Sequence, residues 1–180
     1  KNCCFEKEEA IYFKRTDEAE KIIDLKEIPL VGEHNYQNVM ASVIAAKLVG
    51  LSNEKIKESI MSFKAVEHRC EYYGKIGNIE FYNDSKATNP EASIVAIRSF
   101  GGKSVTLIAG GRDKMTSLDE FCKSINECIS DVILIGEASD RFEEALRASS
   151  YSKIIREESL EKAIDKSIDL GNEICLLSPA

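Results

Sequence analysis

The alternation of apolar runs with helix-forming segments restricts the fold more than any other feature of this sequence. Helical segments are predicted at about 90–100, 117–130, 138–149 and 159–170, and each lies beside a short run that predicts a strand. Most of these runs are too uniformly apolar for strands that face water on one side. They are SVTLIAGG, DVILIG, SKIIRE and NEICLLS. The sequence therefore predicts an α/β fold with a doubly wound, Rossmann-like, mostly parallel sheet covered on both faces.

Turn and capping residues refine the ends of these elements. The segment CEYYGKIGNIEFYND predicts a hairpin with a Gly-Asn turn before the first helix. Asn89 followed by Pro90 is typical of a helix N-cap with proline at the first helical position. Ser117 and Glu120 have the spacing of a capping box, which predicts that the next helix begins at Ser117.

The first 66 residues follow a different pattern. The short runs CCF, AIYF, KIID and IPLV predict strands, and two helical segments follow them. Asn35 is the predicted N-cap of the first helix and Gly50 its C-terminal glycine, whereas Ser52 or Asn53 caps the second. We therefore predict a boundary near residue 66, between a β-plus-helical tail of one domain at 1–66 and a nearly complete doubly wound domain at 67–180.

Composition and charge exclude several classes of protein. The formal net charge of the 180 residues is -7, and no Lys and Arg cluster is present, which argues against nucleic-acid binding. No apolar stretch is long enough to predict membrane insertion. The six cysteines form no C-x-x-C pair, and the two histidines have no metal-ligand spacing. We predict reduced thiols that pack as small hydrophobic groups, and no metal site.

Three polar loops follow predicted strands and are expected at one edge of the sheet. They are NDSKATN, AGGRDK and LSPA. Ligands of doubly wound sheets bind at the carboxyl ends of the strands, where such loops lie. Lys86 and Lys114 would converge there, which favours a carboxylate or phosphate ligand. The alternative for Asp84 and Thr88 is a solvated turn held by local backbone bonds. Neither a G-x-G-x-x-G nor a G-x-x-x-x-G-K-[ST] loop is present.

Three further residues are candidates for ligand binding, although a purely structural role could also explain them. Asn35 is explained by capping alone, but Asn38, one turn later, is a poor helix former that could bind the edge of a base. Arg69 lies in the predicted interdomain link, where a guanidinium could bind a phosphate. Its alternative is a surface ion pair of little energetic value.

Five motifs, in order, resemble those of the Mur ligase family, in particular of its members that add D-glutamate. They are G-E-H-N-x-x-N, V-E-H-R, N-D-S-K-A-T-N, G-G-x-x-K and L-L-S-P-A, and the resemblance extends from about Leu30 to Ala180. It implies a cytoplasmic step of peptidoglycan synthesis with three small-molecule substrates. ATP phosphorylates the carboxylate of UDP-N-acetylmuramoyl-L-alanine, and the amine of D-glutamate then attacks the acyl phosphate. The resemblance also implies Mg²⁺, with its ligands mostly outside this sequence.

The resemblance assigns the nucleotide to four residues. Asn35 and Asn38 would bind the adenine, Asp84 the ribose hydroxyls and Arg69 the terminal phosphates.

The resemblance assigns D-glutamate to four others. Lys86, Thr88 and Lys114 would bind its carboxylates, with Ser178 near the side-chain carboxylate. Arg69, Lys86 and Lys114 are the catalytic candidates.

The sequence departs from the family pattern in lacking a phosphate-binding Gly-Lys-Thr loop, the magnesium-binding residues of the central domain and a UDP-binding domain. We therefore expect 1–66 to be the C-terminal part of a truncated central ATP-binding domain and 67–180 the C-terminal Mur ligase domain. The chain alone is expected to be inactive, and its parent monomeric. One alternative is another Mur ligase or a folylpolyglutamate synthase, which tend to have Ala-His where this sequence has Ser85-Lys86. The other is a non-catalytic module that binds an anionic metabolite.

Overall fold

A computed structural model describes residues 2–15 and 18–180 of the chain. The chain forms two compact units, at 1–65 and 66–180. Within the described ranges, no helix is both long enough and apolar enough to cross a membrane.

The first unit contains a three-stranded antiparallel sheet in the order β1-β2-β3 and two α-helices. Its core is formed by side chains of β2, β3 and the inner faces of both helices, including Ile11, Phe13, Ile23, Val43 and Ile56. The elements are β1 (Cys3–Lys7), β2 (Ala10–Lys14), β3 (Ala19–Asp24), a 3-10 helix (Leu25–Glu27), α1 (Glu33–Leu48) and α2 (Asn53–Met61).

Two predictions for this unit are wrong. The run IPLV is not a strand, and Pro29 explains why, because proline has no N–H to donate to a sheet. Asn35 is not the N-cap of α1, because the helix begins two residues earlier, after Gly32. Gly32 has a φ of 100°, which glycine adopts without strain. The N-cap of α2 at Ser52 is confirmed, since its hydroxyl accepts a hydrogen bond from the Lys55 amide.

The second unit is a six-stranded sheet with strand order β4-β5-β9-β6-β7-β8. The β4–β5 pair is antiparallel and all the other pairs are parallel. The predicted mostly parallel α/β sheet is therefore confirmed. The elements are β4 (Glu71–Ile76), β5 (Ile79–Asn83), α3 (Pro90–Arg98), β6 (Val105–Gly110), α4 (Asp119–Cys128), β7 (Asp131–Ile135), α5 (Ser139–Ala148), β8 (Ile154–Arg156), α6 (Leu160–Leu170) and β9 (Ile174–Leu177).

The central strand β6 is buried along its whole length, which explains why Thr106 is its one polar residue. Ile108 packs with Ile133 and with Ala163 of α6 on one face of the sheet. Leu107, the preceding residue, is also fully buried and points to the opposite face because side chains alternate along a strand. Both faces of the sheet are thus covered.

Of the two helix starts predicted for this unit from capping residues, one is confirmed and one is wrong. Asn89 caps α3 as predicted, with its side-chain oxygen 2.8 Å from the Ala92 amide nitrogen, and Pro90 is the first helical residue. The capping box at Ser117 is wrong, because α4 begins at Asp119 after Leu118. The Ser117 hydroxyl instead accepts from the Asp119 amide and donates to the Asp119 carboxylate, in a local turn that competes with capping.

Candidate functional site

The three polar loops that follow β5, β6 and β9 meet at one edge of the second sheet. β9 lies between β5 and β6, and all three strands are parallel. The Asp84 amide donates to Leu177 O at 2.8 Å, and the Gly110 amide donates to Pro179 O at 2.9 Å. The Ala180 amide donates to Ala87 O at 3.0 Å. Backbone bonds therefore hold NDSKATN, AGGRDK and LSPA together, as strand order requires.

A buried polar network lies beneath these loops. Asp84 is 7% exposed, and Ser93 and Ser178 are fully buried. The Ser178 hydroxyl donates to Asp84 Oδ2 at 2.8 Å and lies 2.8 Å from the Ser93 hydroxyl. Asp84 Oδ1 accepts from the Cys70 amide at 3.1 Å. A buried carboxylate is strongly unfavourable without such bonds. The network therefore fixes the start of the NDSKATN loop against β9, α3 and the residue before β4.

We expect Ser178→Ala to lower the free energy of unfolding of the second unit by about 1–2 kcal/mol, because Asp84 Oδ2 and the Ser93 hydroxyl each lose a buried partner. Hydrogen exchange of the β6 and β9 amides measures this change. Ser99→Ala is the matched control, because the Ser99 hydroxyl donates locally, to Val95 O one turn earlier on the same helix. Equal effects of the two variants would contradict a stabilising role for the network.

Cys70 borders this network without being a nucleophile. Burial and, secondarily, the negative charge of Asp84 raise the pKa of its thiol to about 12. The thiol is therefore protonated near neutral pH, and only the thiolate is strongly nucleophilic. All six cysteines are free, and Cys122 and Cys175 are buried in the core, in agreement with thiols that pack as small hydrophobic groups.

The cationic candidates lie at the surface of the same edge. Lys86, Thr88 and Lys114 are exposed, and Lys114 Nζ donates to Thr88 O, so the structure brings these two loops into direct contact. The Lys86 amide donates to His68 O at 3.2 Å, which places the exposed Arg69 beside the loop. In the part of the chain that the structure describes, the side chains of Arg69 and Lys86 have no ion-pair partner. Both cations are therefore available to an anionic ligand.

Asn35 and Asn38 belong to the first unit. The Asn35 side-chain amide donates to Val31 O at 2.8 Å. Asn38 is exposed, and its Nδ2 lies 3.5 Å from Asn35 Oδ1. Asn38 lines a cavity of about 250 Å³ with a mostly apolar wall. The other lining residues are Leu30, Val39, Ser42, Ser59, Ile60 and Phe63.

Neither a phosphate-binding loop nor a metal centre is formed at this edge. Gly102-Lys103-Ser104 precedes β6 and so lies at the opposite end of that strand, where Ser104 bonds Glu173. Among residues 2–15 and 18–180, no three His, Cys, Asp or Glu side chains are grouped so as to hold a metal ion. The residues described do not by themselves form a magnesium site.

Sequence patterns missed three residues that shape this edge: Ser93, Asp113 and Arg141. Ser93 is buried on α3 and lies 85 residues from its partner Ser178. A serine within a helical segment does not by itself indicate a partner so far away in the sequence. Asp113 and Arg141 form an ion pair at 2.8 Å across 28 residues. No motif spacing predicts such a pair, because it depends on how α5 packs beside the AGGRDK loop.

Comparison with known families identifies the second unit. The family described as Mur ligase, glutamate ligase domain, matches residues 68–180. The chain belongs to the Mur ligase family. The motifs at Asp84 to Asn89, Gly110 to Lys114 and Leu176 to Ala180 thus lie within the matched domain and at the edge described above.

Two curated relatives of this Mur ligase chain have the same name. UDP-N-acetylmuramoylalanine–D-glutamate ligase of Thermoanaerobacter sp. strain X514 is 41% identical over 183 residues, which cover 99% of this chain and 40% of that protein. The ligase of the same name from Enterococcus hirae is 38% identical over 95% of this chain and 36% of its own length. The chain therefore spans about two fifths of the length of these relatives.

Solved structures show the same fold at lower identity. MurF from Acinetobacter baumannii superimposes with a TM-score of 0.69 at 18% identity, over 93% of this chain and 38% of that protein. Folylpolyglutamate synthase from Thermotoga maritima has a TM-score of 0.68 at 15% identity, over 94% of this chain and 40% of that protein. At such identities the likeness concerns the fold alone.

Proposed function

We propose that this chain is the C-terminal glutamate-ligase domain of a UDP-N-acetylmuramoylalanine–D-glutamate ligase, preceded by part of its central ATP-binding domain. The proposed domains are 1–66 and 67–180. The observation that carries the proposal is the convergence of Lys86, Thr88 and Lys114 at one sheet edge, in a chain 41% identical to such ligases. The whole protein would be an ATP-dependent, ADP-forming acid–D-amino-acid ligase of peptidoglycan synthesis, cytoplasmic and monomeric.

The exposed lysines suit D-glutamate because this amino acid has two carboxylates. Lys86 and Lys114 can each donate charged hydrogen bonds, and the Thr88 hydroxyl can add a neutral one. Ser178 would act near the side-chain carboxylate. Its single hydroxyl hydrogen already bonds Asp84, so a direct contact with that carboxylate requires the hydroxyl to turn away from Asp84.

Four residues are proposed to bind the nucleotide. Asn35 and Asn38 would bind the adenine, a role supported by the apolar cavity that adjoins Asn38. Asp84 would accept hydrogen bonds from the ribose hydroxyls. Arg69 would bind the terminal phosphates through its exposed guanidinium.

The proposed reaction has two steps. The substrate carboxylate attacks the terminal phosphorus of ATP, which forms an acyl phosphate and releases ADP. The D-glutamate amine then attacks the acyl carbon, an amide forms and phosphate leaves. Arg69 would stabilise negative charge on the transferred phosphoryl group, while Lys86 and Lys114 would hold the amine in line with the acyl carbon. Bound Mg²⁺ supplies further charge neutralisation at the phosphates.

The 180 residues alone are proposed to be inactive. They contain no complete G-x-x-x-x-G-K-[ST] loop, and the described residues offer no three-ligand metal group. Turnover would therefore depend on a phosphate-binding loop and magnesium ligands contributed by the remainder of a full-length ligase.

The same fold also occurs in other Mur ligases and in folylpolyglutamate synthases. The D-glutamate proposal is favoured over these by Ser85-Lys86, where they tend to have Ala-His, and by the shared name of the relatives at 38–41% identity. A non-catalytic module that binds an anionic metabolite would use the same lysines without any turnover.

We expect a full-length ligase that carries this sequence to release phosphate with ATP, Mg²⁺ and UDP-N-acetylmuramoyl-L-alanine only when D-glutamate is added. A coupled phosphate assay across a panel of amino acids, with L-glutamate as the matched control, measures this selectivity. Release with another amino acid would keep the ligase mechanism and overturn the assigned specificity. Release with none of them would favour the binding module.

A further inference from the structure

Arg141 of α5 binds the loop that carries Lys114 at two residues, one before that lysine in the chain and one after it. Its Nη1 lies 2.8 Å from Asp113 Oδ1, and its Nη2 donates to Thr116 O. Arg141 and Asp113 are both partly buried, with side chains 30% and 20% exposed, so their attraction is less screened than that of a surface pair. One guanidinium therefore closes a turn in which Lys114 is held between its two anchor points.

The backbone of this turn is strained and needs such anchors. Met115 has a φ of 58°, a left-handed conformation that costs a non-glycine residue about 1–2 kcal/mol. Such residues are retained where surrounding contacts over-determine them. Here the Met115 amide donates to Asp113 Oδ1 at 2.8 Å, to the same oxygen that Arg141 binds. Arg141 thus fixes the acceptor that maintains the left-handed residue next to Lys114.

The base of the loop is fixed independently. The Gly111 amide donates to Ile135 O at 2.9 Å, and Gly111 O accepts from the Ala138 amide at 3.0 Å. These bonds tie the start of the loop to the end of β7 and to the residue before α5. Among the hydrogen bonds of the described residues, the Arg141 bond to Thr116 O and the Lys114 bond to Thr88 O join the part of the loop beyond Asp113 to other elements.

We propose that Arg141 is a positioning residue for Lys114, and that it sets the affinity for the amino-acid substrate without touching it. This inference rests on the proposed function, in which Lys114 binds a carboxylate of D-glutamate. Arg141 would act in two ways. It holds the turn in shape, and it neutralises Asp113, whose carboxylate would otherwise compete with the substrate for the neighbouring ammonium group.

Arginine and lysine should not be equivalent at this position. The two anchor points are bound by two different nitrogens of one planar guanidinium. A lysine ammonium keeps the positive charge but is a compact point donor on a flexible stem. A role in shaping the turn therefore predicts that Arg141→Lys fails to restore function, whereas a purely electrostatic role predicts that it succeeds.

The test compares Arg141→Ala, Arg141→Lys and a control in a full-length ligase carrying this sequence. The control is Arg147→Ala, because Arg147 lies on the same helix and, among the described residues, forms an ion pair with Glu143 and no other carboxylate. We expect both Arg141 variants to raise the D-glutamate half-saturation about tenfold, as misplacement of a binding group does, with the ATP half-saturation unchanged. Hydrogen exchange of the Met115 amide should accelerate in both, and the control should match the wild type.

Failure of this inference can be distinguished from failure of the proposed function. If Lys114→Ala leaves the D-glutamate half-saturation unchanged, the proposed role of Lys114 is wrong and the role of Arg141 falls with it. If Lys114→Ala raises it but either Arg141 variant behaves like the wild type, the positioning role alone is overturned. An equal rise in the ATP half-saturation would indicate general loss of structure and would also overturn it.

Discussion

Replacement of Lys114 by alanine in a full-length ligase is expected to weaken D-glutamate binding by about 1.5–3 kcal/mol, the size of a charged hydrogen bond. This corresponds to a rise of roughly 10- to 150-fold in the half-saturation for D-glutamate. The physical reason is the exposed position of this ammonium at the sheet edge, where it contacts Thr88 O and can reach a carboxylate. Steady-state phosphate release at varied D-glutamate concentration measures the effect.

Lys123→Ala is the matched control for this prediction, because it removes the same charge from an exposed position on α4. A long-range electrostatic effect would appear in both variants and would weaken with salt, whereas direct binding affects Lys114 alone. An unchanged half-saturation in Lys114→Ala would remove this residue from the D-glutamate site. The GGRDK motif would then be a structural loop.

The sequence predicted the sheet and its edge because those features depend on strong, redundant signals. β9 is apolar throughout, and Thr106 is the one polar residue of β6. Each strand is followed at once by a serine or glycine residue, so the end of the apolar run and the residue after it both mark the strand end. Parallel pairing then forces the loops after them to the same edge, whatever the details of packing. The contact between the Lys114 and Thr88 loops follows from that topology.

Helix starts were predicted less well because several residues compete for them. Asn35 and Ser117 both have side chains that cap helices in general, yet each bonds to the backbone beside the helix start instead. Gly32 and Leu118 occupy the N-cap positions without side-chain bonds. These choices depend on energies of about 1 kcal/mol, which packing of the whole helix overrides.

Burial of the candidate site could not be predicted from the sequence. Asp84 and Ser178 have the chemistry of ligand-binding residues, but the register of β5 against β9 turns both side chains inward, where they bind each other. The contacts of Arg141 could not be predicted either, because its partners lie on a loop 25 to 28 residues away in the sequence. Long-range pairs of this kind determine how the exposed lysines are held.

Gly110→Ala is expected to lower the free energy of unfolding of the second unit by about 4 kcal/mol or more, a size reserved for severe steric or core defects. Gly110 is the last residue of β6 and has a φ of 109°. A Cβ there would lie 2.1 Å from Ile135 O of the neighbouring strand, far inside contact distance. That oxygen also accepts the Gly111 amide, so the variant should lose this bond as well as straining β6.

Gly111→Ala separates the clash from the backbone strain. Gly111 has a φ of 117°, but a Cβ at this position would have no neighbouring atom within 4 Å. Only the left-handed strain of about 1–2 kcal/mol is therefore expected. Hydrogen exchange of the central β6 and β7 amides reports the second unit specifically, which matters because a chain of two compact units need not unfold in one step. Equal losses in the two variants would mean that strain alone makes glycine necessary here. A larger loss in Gly110→Ala would mean that the close approach of β6 to Ile135 O determines where the Lys114 loop begins.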